Sequence, residues 1–283
     1  MPPITASIVL YNHAPAFLQP LISSILACGL VRKLFLVDNS ATNALKMLTG
    51  DSRVEYIFNN ANIGYGAAHN IAIRKAFALA KYHIVFNPDI AFEPGTIEKI
   101  AAYMEEYPRT GQLMPKIIYP NGSLQYTCKL LPAPADLITR RFLPAALIKK
   151  RMQRFEMRDS GYDKIMEVPY LSGCFMFLRL DAVKQAGLFD ERFFMYPEDI
   201  DLTRRINKFY KTIYYPGVYA IHAHERGSYK NARLFFIHII NIIRYFNKWG
   251  WIFDAERKRI NKRVEAQYKH QHDNKESALK KLI

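Results

Sequence analysis

Asn87-Pro88-Asp89 closes the short apolar run His83–Phe86 and puts a carboxylate where a strand should end. An aspartate braced by proline in that position suits Mg2+ or Mn2+, which bind through one or two carboxylates plus a ligand's phosphate oxygens. Tyr11-Asn12 and Asp38-Asn39-Ser40 follow apolar runs in the same manner. A glycine-rich turn is missing after the first run, which continues Leu10-Tyr11-Asn12-His13-Ala14-Pro15, and no phosphate-loop lysine motif occurs. A nucleotide's pyrophosphate would therefore be neutralised by a carboxylate-held metal ion. Taken alone, Asn-Pro-Asp is equally an ordinary turn. Glu198-Asp199, with Asp201 behind it, opens a helical pattern, where acidic residues also offset the helix dipole.

The elements that must position these residues alternate through the first half. Ile4–Tyr11, Lys33–Val37, Val54–Phe58 and His83–Phe86 read as strands, and Pro15–Cys28 and Ala67–Ala80 as helices. That alternation predicts an α/β fold with a mostly parallel central sheet flanked by helices. Ligands of such sheets bind beyond the carboxyl ends of the strands, where all three polar clusters fall. In the second half, Pro120–Ser123 reads as a turn and Leu130–Asp159 as a basic surface loop with short helices. Val168–Leu180 reads as a strand around Gly173, Glu198–Phe209 as a helix and Tyr215–His222 as the last strand. From Asn231 the pattern is helical and basic.

The order of the blocks Ser7–Asn12, Leu36–Ser40, Asn62–Asn70, Phe86–Asp89, Leu171–Arg179 and Gly187–Leu202 resembles family 2 glycosyltransferases. Bacterial rhamnosyltransferase-like members are the nearest pattern, and the matching blocks run from Ile4 to Ser228. The resemblance implies a GT-A fold, Rossmann-like in its sheet. It divides the chain into a nucleotide-sugar half (1–118), an acceptor half (119–228) and a basic helical C-terminal extension (229–283).

The implied activity is inverting sugar transfer, with Asp199 as the base that takes the acceptor hydroxyl's proton. Tyr11 and Asp38 would contact the nucleobase, and Asn62, Gly64, Gly66 and Asn70 would line the nucleotide pocket. Asn87 and Asp89 occupy the family's Asp-x-Asp motif. Asp89 would bind the metal, while Asn87, replacing an aspartate, would hydrogen-bond the ribose or a metal-bound water. His222 would complete the metal site, with His224 as the alternative. Arg226 and Lys230 would touch the diphosphate or stay solvated. Gly173 and Cys174 would lie beside the sugar, Cys174 without chemistry of its own. Glu198 and Asp201 would orient the acceptor or pair with Arg204 or Arg205. The implied donor is dTDP-rhamnose, with UDP-galactose or UDP-GlcNAc as alternatives, because the base contacts do not separate thymine from uracil. The implied acceptor is a lipid-linked precursor of a bacterial surface polysaccharide.

The net charge of +15 calls for an anionic partner. It is concentrated after Tyr229, with thirteen Lys/Arg against five Asp/Glu. Leu234, Phe235, Ile239, Ile242, Ile243 and Phe246 recur at helical spacing there, followed by Trp249 and Trp251. That pattern fits core packing or a helix lying on an anionic membrane surface. Nucleic acid is disfavoured, since no helix-turn-helix, zinc or stacking signature occurs. A catalytically inactive glycan-binding relative would not need both Asp89 and Asp199. Three widely spaced cysteines fit neither a disulfide framework nor a zinc cluster, and point to a reducing compartment. With no leader pattern and no apolar run of about 20 residues, the expected location is cytoplasmic, peripheral on the inner face of the plasma membrane.

Overall fold

The β-branched run Ile4–Leu10 forms strand β1, buried along its whole length as a strand covered on both faces must be. The computed structural model describes residues 2–137, 144–223 and 232–280, with side chains to residue 268 except at 145 and 232–234. In it β1 pairs in parallel with β2 (Val31–Asp38) and with β4 (Tyr82–Phe86), while β3 (Val54–Phe58) continues outward from β2. Helix α1 (Pro15–Ala27) packs with Ile4, Ala6, Ile8 and Leu10. Helix α2 (Tyr65–Ala76) covers the other face through Ala68 and Ala72 against Val9, Phe35 and Val37. The two-residue side-chain period of β1 thus feeds one core on each side.

The second half extends this sheet with β5 (Ile90–Phe92), β6 (Thr110–Ile118), β8 (Met166–Glu167), β10 (Phe175–Arg179) and β11 (Lys211–His222). Strand order is β3-β2-β1-β4-β10-β6-β11-β5, with β8 on β11. β10 runs antiparallel between β4 and β6, and β6 and β11 are parallel. A separate pair joins β7 (Cys128–Lys129) to β9 (Tyr170–Leu171). The helices of this half are α3 (Thr96–Glu106), α4 (Ala145–Phe155), α5 (Leu180–Ala186) and α6 (Glu198–Ile206). The expected strand over Val168–Leu180 is broken at Ser172-Gly173-Cys174, and that break brings Gly173 to the site.

The C-terminal segment forms α7 (Ala232–Trp249) and α8 (Ala255–Lys280). Ile242, Tyr245, Phe246, Ile260, Val264 and Tyr268 join the main core. At about 1.5–3 kcal/mol for each large apolar side chain fully buried, that contact ties the helices firmly to the rest of the fold. Arg204 of α6 is buried and makes a two-pronged pair with Asp254 at 2.7 and 2.8 Å. Arg204 also stacks on Trp249, its guanidinium carbon 4.0 Å from the ring centroid. Much of the basic excess expected to face a partner is consumed internally. Lys248 pairs with Asp190 and Asp201, and Arg263 with Glu167.

Candidate active site

Asn87 and Asp89 leave the end of β4, and His222 ends β11; Asn87 and Asp89 remain partly exposed. His222 Nε2 lies 3.3 Å from Asp89 Oδ1 and 3.2 Å from Asn87 Nδ2. Gln125 fixes the imidazole from behind. Its amide nitrogen, Nε2, donates to the His222 carbonyl at 2.6 Å, so its Oε1 faces His222 Nδ1 at 3.0 Å. An amide oxygen only accepts, so Nδ1 carries the proton and the Nε2 lone pair points toward Asn87 and Asp89. A lone pair and a carboxylate oxygen so close are two donor atoms that one metal cation would share. The donor set, one carboxylate and one imidazole braced by an amide, fits a divalent cation. Among the described residues no group of three or more His, Cys, Asp or Glu is placed to hold a metal ion. A pair leaves the remaining coordination positions to water and phosphate oxygens, as Mg2+ sites commonly do.

Asp199 opens α6 on the facing side of the rim. The Gly173 N–H donates to its Oδ2 at 3.0 Å, and the Ile200 N–H to its Oδ1 at 2.8 Å. Burial raises the Asp199 carboxyl above the usual aspartate range, and the nearby Lys129 charge pulls it back down. Glu198 is more deeply buried, with its Oε2 lacking a hydrogen-bond partner. Burial, then the adjacent Asp199, raises its carboxyl well above the ordinary glutamate range. One hydroxyl joins the two sides of the rim: Tyr65 Oη lies 3.0 Å from Asn87 Oδ1 and 2.9 Å from the Gly173 carbonyl.

The other expected site residues are distributed unequally. Tyr11, 52% exposed, follows β1 at the open rim. Asp38 is fully buried; its Oδ1 accepts the Ser40 N–H and its Oδ2 the Tyr56 hydroxyl at 2.6 Å. Exposed Asn62 accepts from Asn39 Nδ2 and the Gly64 N–H, shaping the turn into α2.

Asn70 needs correction. It is fully buried, donating to the Phe189 carbonyl and Glu191 Oε1 and accepting the Phe189 N–H. Those bonds saturate its amide, so it ties α2 to the 187–191 turn instead of lining a nucleotide pocket. The close approach expected at Gly64 and Gly66 is likewise made by the chain itself. Gly64 has φ +94°, and a Cβ there would collide with the Phe194 carbonyl; one at Gly66 would stand 2.9 Å from Phe189 Cβ. Asp201 is fully buried and accepts from Arg205, Trp249 and Lys248, so it braces α6 and does not meet an acceptor. Cys174 is buried with its thiol pushed up to about 12, consistent with an inert side chain. His224, Arg226 and Lys230 lie outside the described residues.

Tyr65, Gln125 and Lys129 did not emerge from the sequence. Tyr65 sits between two singled-out glycines, a position that could have drawn notice. Gln125 and Lys129 carry no local signal, because only the fold brings them to His222 and Asp199.

The sequence matches the family model described as "Glycosyl transferase family 2" over residues 5–187. It is 30% identical over 243 residues to the N-acetylglucosaminyl-diphospho-decaprenol L-rhamnosyltransferase of Mycobacterium tuberculosis, covering 77% of this chain and 76% of that protein. To the rhamnosyltransferase WbbL of Escherichia coli K12 it is 26% identical over 249 residues, covering 84% and 90%. Among solved structures, the mannosyltransferase PcManGT of Pyrobaculum calidifontis, in complex with GDP-Man and Mn2+, shares the fold at a TM-score of 0.60. Identity there is 15%, over 94% of this chain and 70% of that one.

Proposed function

The chain belongs to glycosyl transferase family 2 and is a glycosyltransferase, and on that premise we propose that it moves L-rhamnose from dTDP-rhamnose to a lipid-linked diphosphate acceptor. Two of the relatives that it resembles are named as rhamnosyltransferases, and one of them is named for a diphospho-decaprenol acceptor. A UDP-sugar donor is the second reading, because uracil and thymine present the same ring N–H to an acceptor.

The observation that carries the chemistry is the convergence of Asn87, Asp89 and His222 opposite Asp199, across a rim joined by Tyr65. Asp199 takes the proton from the acceptor hydroxyl as its oxygen attacks the anomeric carbon. The new C–O bond forms while the bond to the diphosphate breaks on the opposite face, inverting the centre. Asp89 and His222 would hold a divalent cation, Mg2+ or Mn2+, which when bound neutralises charge on the departing diphosphate. Asn87 hydrogen-bonds beside them. Burial, then the adjacent Asp199, raises the Glu198 carboxyl, which disfavours a second negative charge beside the base.

We further read the protein as peripheral on the cytoplasmic face of the plasma membrane. No described helix is long and apolar enough to cross a membrane. Ile242 and Phe246 of the expected apolar stripe turn into the core, whereas Phe236, Ile240 and Ile243 stay exposed on α7. Trp251, Ile252 and Phe253 project at the α7–α8 turn, with Phe253 90% exposed. Such a cluster suits the headgroup boundary of a bilayer. Failure of the intact protein to bind anionic liposomes at low salt would remove this part.

The decisive experiment is turnover across a nucleotide-sugar panel with Mg2+ or Mn2+, for wild type and Asp199→Asn. The expected result is a marked preference for dTDP-rhamnose and loss of transfer in the variant with donor binding kept. Wild-type transfer by Asp199→Asn would show that the base is another group.

A further inference from the structure

A cleft of about 500 Å3 opens between residues 130–136, α4 and α8. Its cations are Arg151, Arg154, Arg257, Lys258 and Lys262, against the carboxylates of Asp136 and Glu265. The two carboxylates are already engaged. Asp136 accepts from Arg151 at 2.6 Å, and Glu265 holds Arg154 through two bonds at 2.6 and 3.1 Å. Arg257 is buried and fixed, its Nη1 on the Pro132 carbonyl and its backbone N–H on Asp254. Lys258 and Lys262 are exposed, one helical turn apart on the same face of α8, with no carboxylate partner among the described residues. The cleft therefore carries an uncompensated positive charge.

Its floor is apolar and rigid. Leu130, Leu131 and Phe155 lie beneath the cations. Leu131 exchanges both backbone hydrogen bonds with the Asn261 side chain at 2.9 Å, and the Leu130 N–H donates to the Phe155 carbonyl. Cations over apolar atoms act in a lower dielectric than cations in open water, so an anion seated there is held more strongly.

The cleft is linked to the site along the chain. Leu130 follows Lys129, whose charge is felt by Asp199. Lys129 pairs across β9 with Tyr170, and the chain then runs through Ser172 to Gly173, which holds the base. A sugar presented to Asp199 and anchored through a phosphate would find its anchor along this segment.

We propose that this cleft binds the phosphate or diphosphate group of a lipid, an assignment whose link to the acceptor rests on the transferase reading above. Two sources share that chemistry: a lipid-linked acceptor and a membrane phospholipid headgroup. The test is calorimetric binding of farnesyl diphosphate to the full chain, beside farnesol and inorganic pyrophosphate, for wild type and Lys258→Glu/Lys262→Glu. Both lysines are exposed, so the double variant should keep its fold, which circular dichroism checks. Two charge reversals should weaken the binding of farnesyl diphosphate about tenfold or more. Acceptor-independent hydrolysis of the nucleotide sugar should be unchanged. Competition by phosphatidylcholine vesicles containing phosphatidylglycerol would identify a headgroup site; no competition would identify a lipid-linked substrate. Either result keeps the shared chemistry. Equal binding by wild type and variant, or none by wild type, overturns the cleft assignment. Turnover measured in the same preparation separates the two ideas. If it persists, only the cleft assignment falls; if no nucleotide sugar is turned over, the transferase reading falls first.

Discussion

Gly173 donates its backbone N–H to Asp199 Oδ2 across 3.0 Å, and a Cβ built on Gly173 would stand 3.2 Å from Asp199 Cβ. The same residue's carbonyl receives the Tyr65 hydroxyl. The proposed base is thus aimed by a backbone that tolerates no side chain without a shift. Gly173→Ala should displace the carboxylate by a few tenths of an ångström and lower kcat by about tenfold to a hundredfold. Donor KM should change little in steady-state assays. A variant with wild-type kcat would show that the observed carboxylate position is not the working one.

Gln125→Leu tests how His222 is prepared. Without Gln125 Oε1 the Nδ1 proton loses its acceptor, and the ring is released to rotate and to change tautomer. The concentration of Mn2+ giving half-maximal activity should rise about tenfold to a hundredfold, the usual effect of removing such a partner. At saturating metal kcat should largely recover. An unchanged metal requirement would separate His222 from metal binding.

Lys129→Met addresses the ionisation of Asp199. The base works as the carboxylate, so activity falls as pH drops through its pKa. Burial raises that pKa and the Lys129 charge lowers it. Removing the charge raises it further, and the acidic limb of kcat/KM should move to higher pH with the plateau retained. A limb that stays in place, or moves to lower pH, would mean that another group governs it.

The parallel half of the fold was legible because its strands are near-continuous apolar runs ending in polar clusters, as with Val54–Phe58 and Asn87-Pro88-Asp89. Asp89, Asn87 and His222 were found through motif order, and the structure brings them together. Asn70 was misread because a polar residue inside a motif looks the same whether it faces a ligand or ties down a buried backbone, whereas Asp201 takes the second of its two expected roles, the pairing with Arg205. Gln125 and Tyr65 were not legible: their roles depend on contacts 97 and 22 residues away in sequence. The C-terminal charge was legible as a sum but not as a distribution, since Lys248, Arg257 and Arg263 spend theirs on partners within the fold.

Arg204 and Asp254 give the sharpest test of that internal use. Arg204 is 1% exposed and lies on α6, the helix that opens with Asp199; Asp254 sits at the start of α8. Removing Asp254 leaves a buried guanidinium with Glu256 at 3.0 Å as its remaining carboxylate, beside the Trp249 ring. Breaking a buried pair from one side costs about 3–5 kcal/mol, and the remaining glutamate argues for the lower end. Asp254→Ala should therefore lose about 3 kcal/mol in urea unfolding, with kcat reduced as α8 loosens from α6. Arg204→Met/Asp254→Leu removes both charges and fills the space, so it should recover most of that stability. If Asp254→Ala costs less than about 1 kcal/mol, apolar contacts such as Tyr245 and Phe246 hold the C-terminal helices and the ion pair does not.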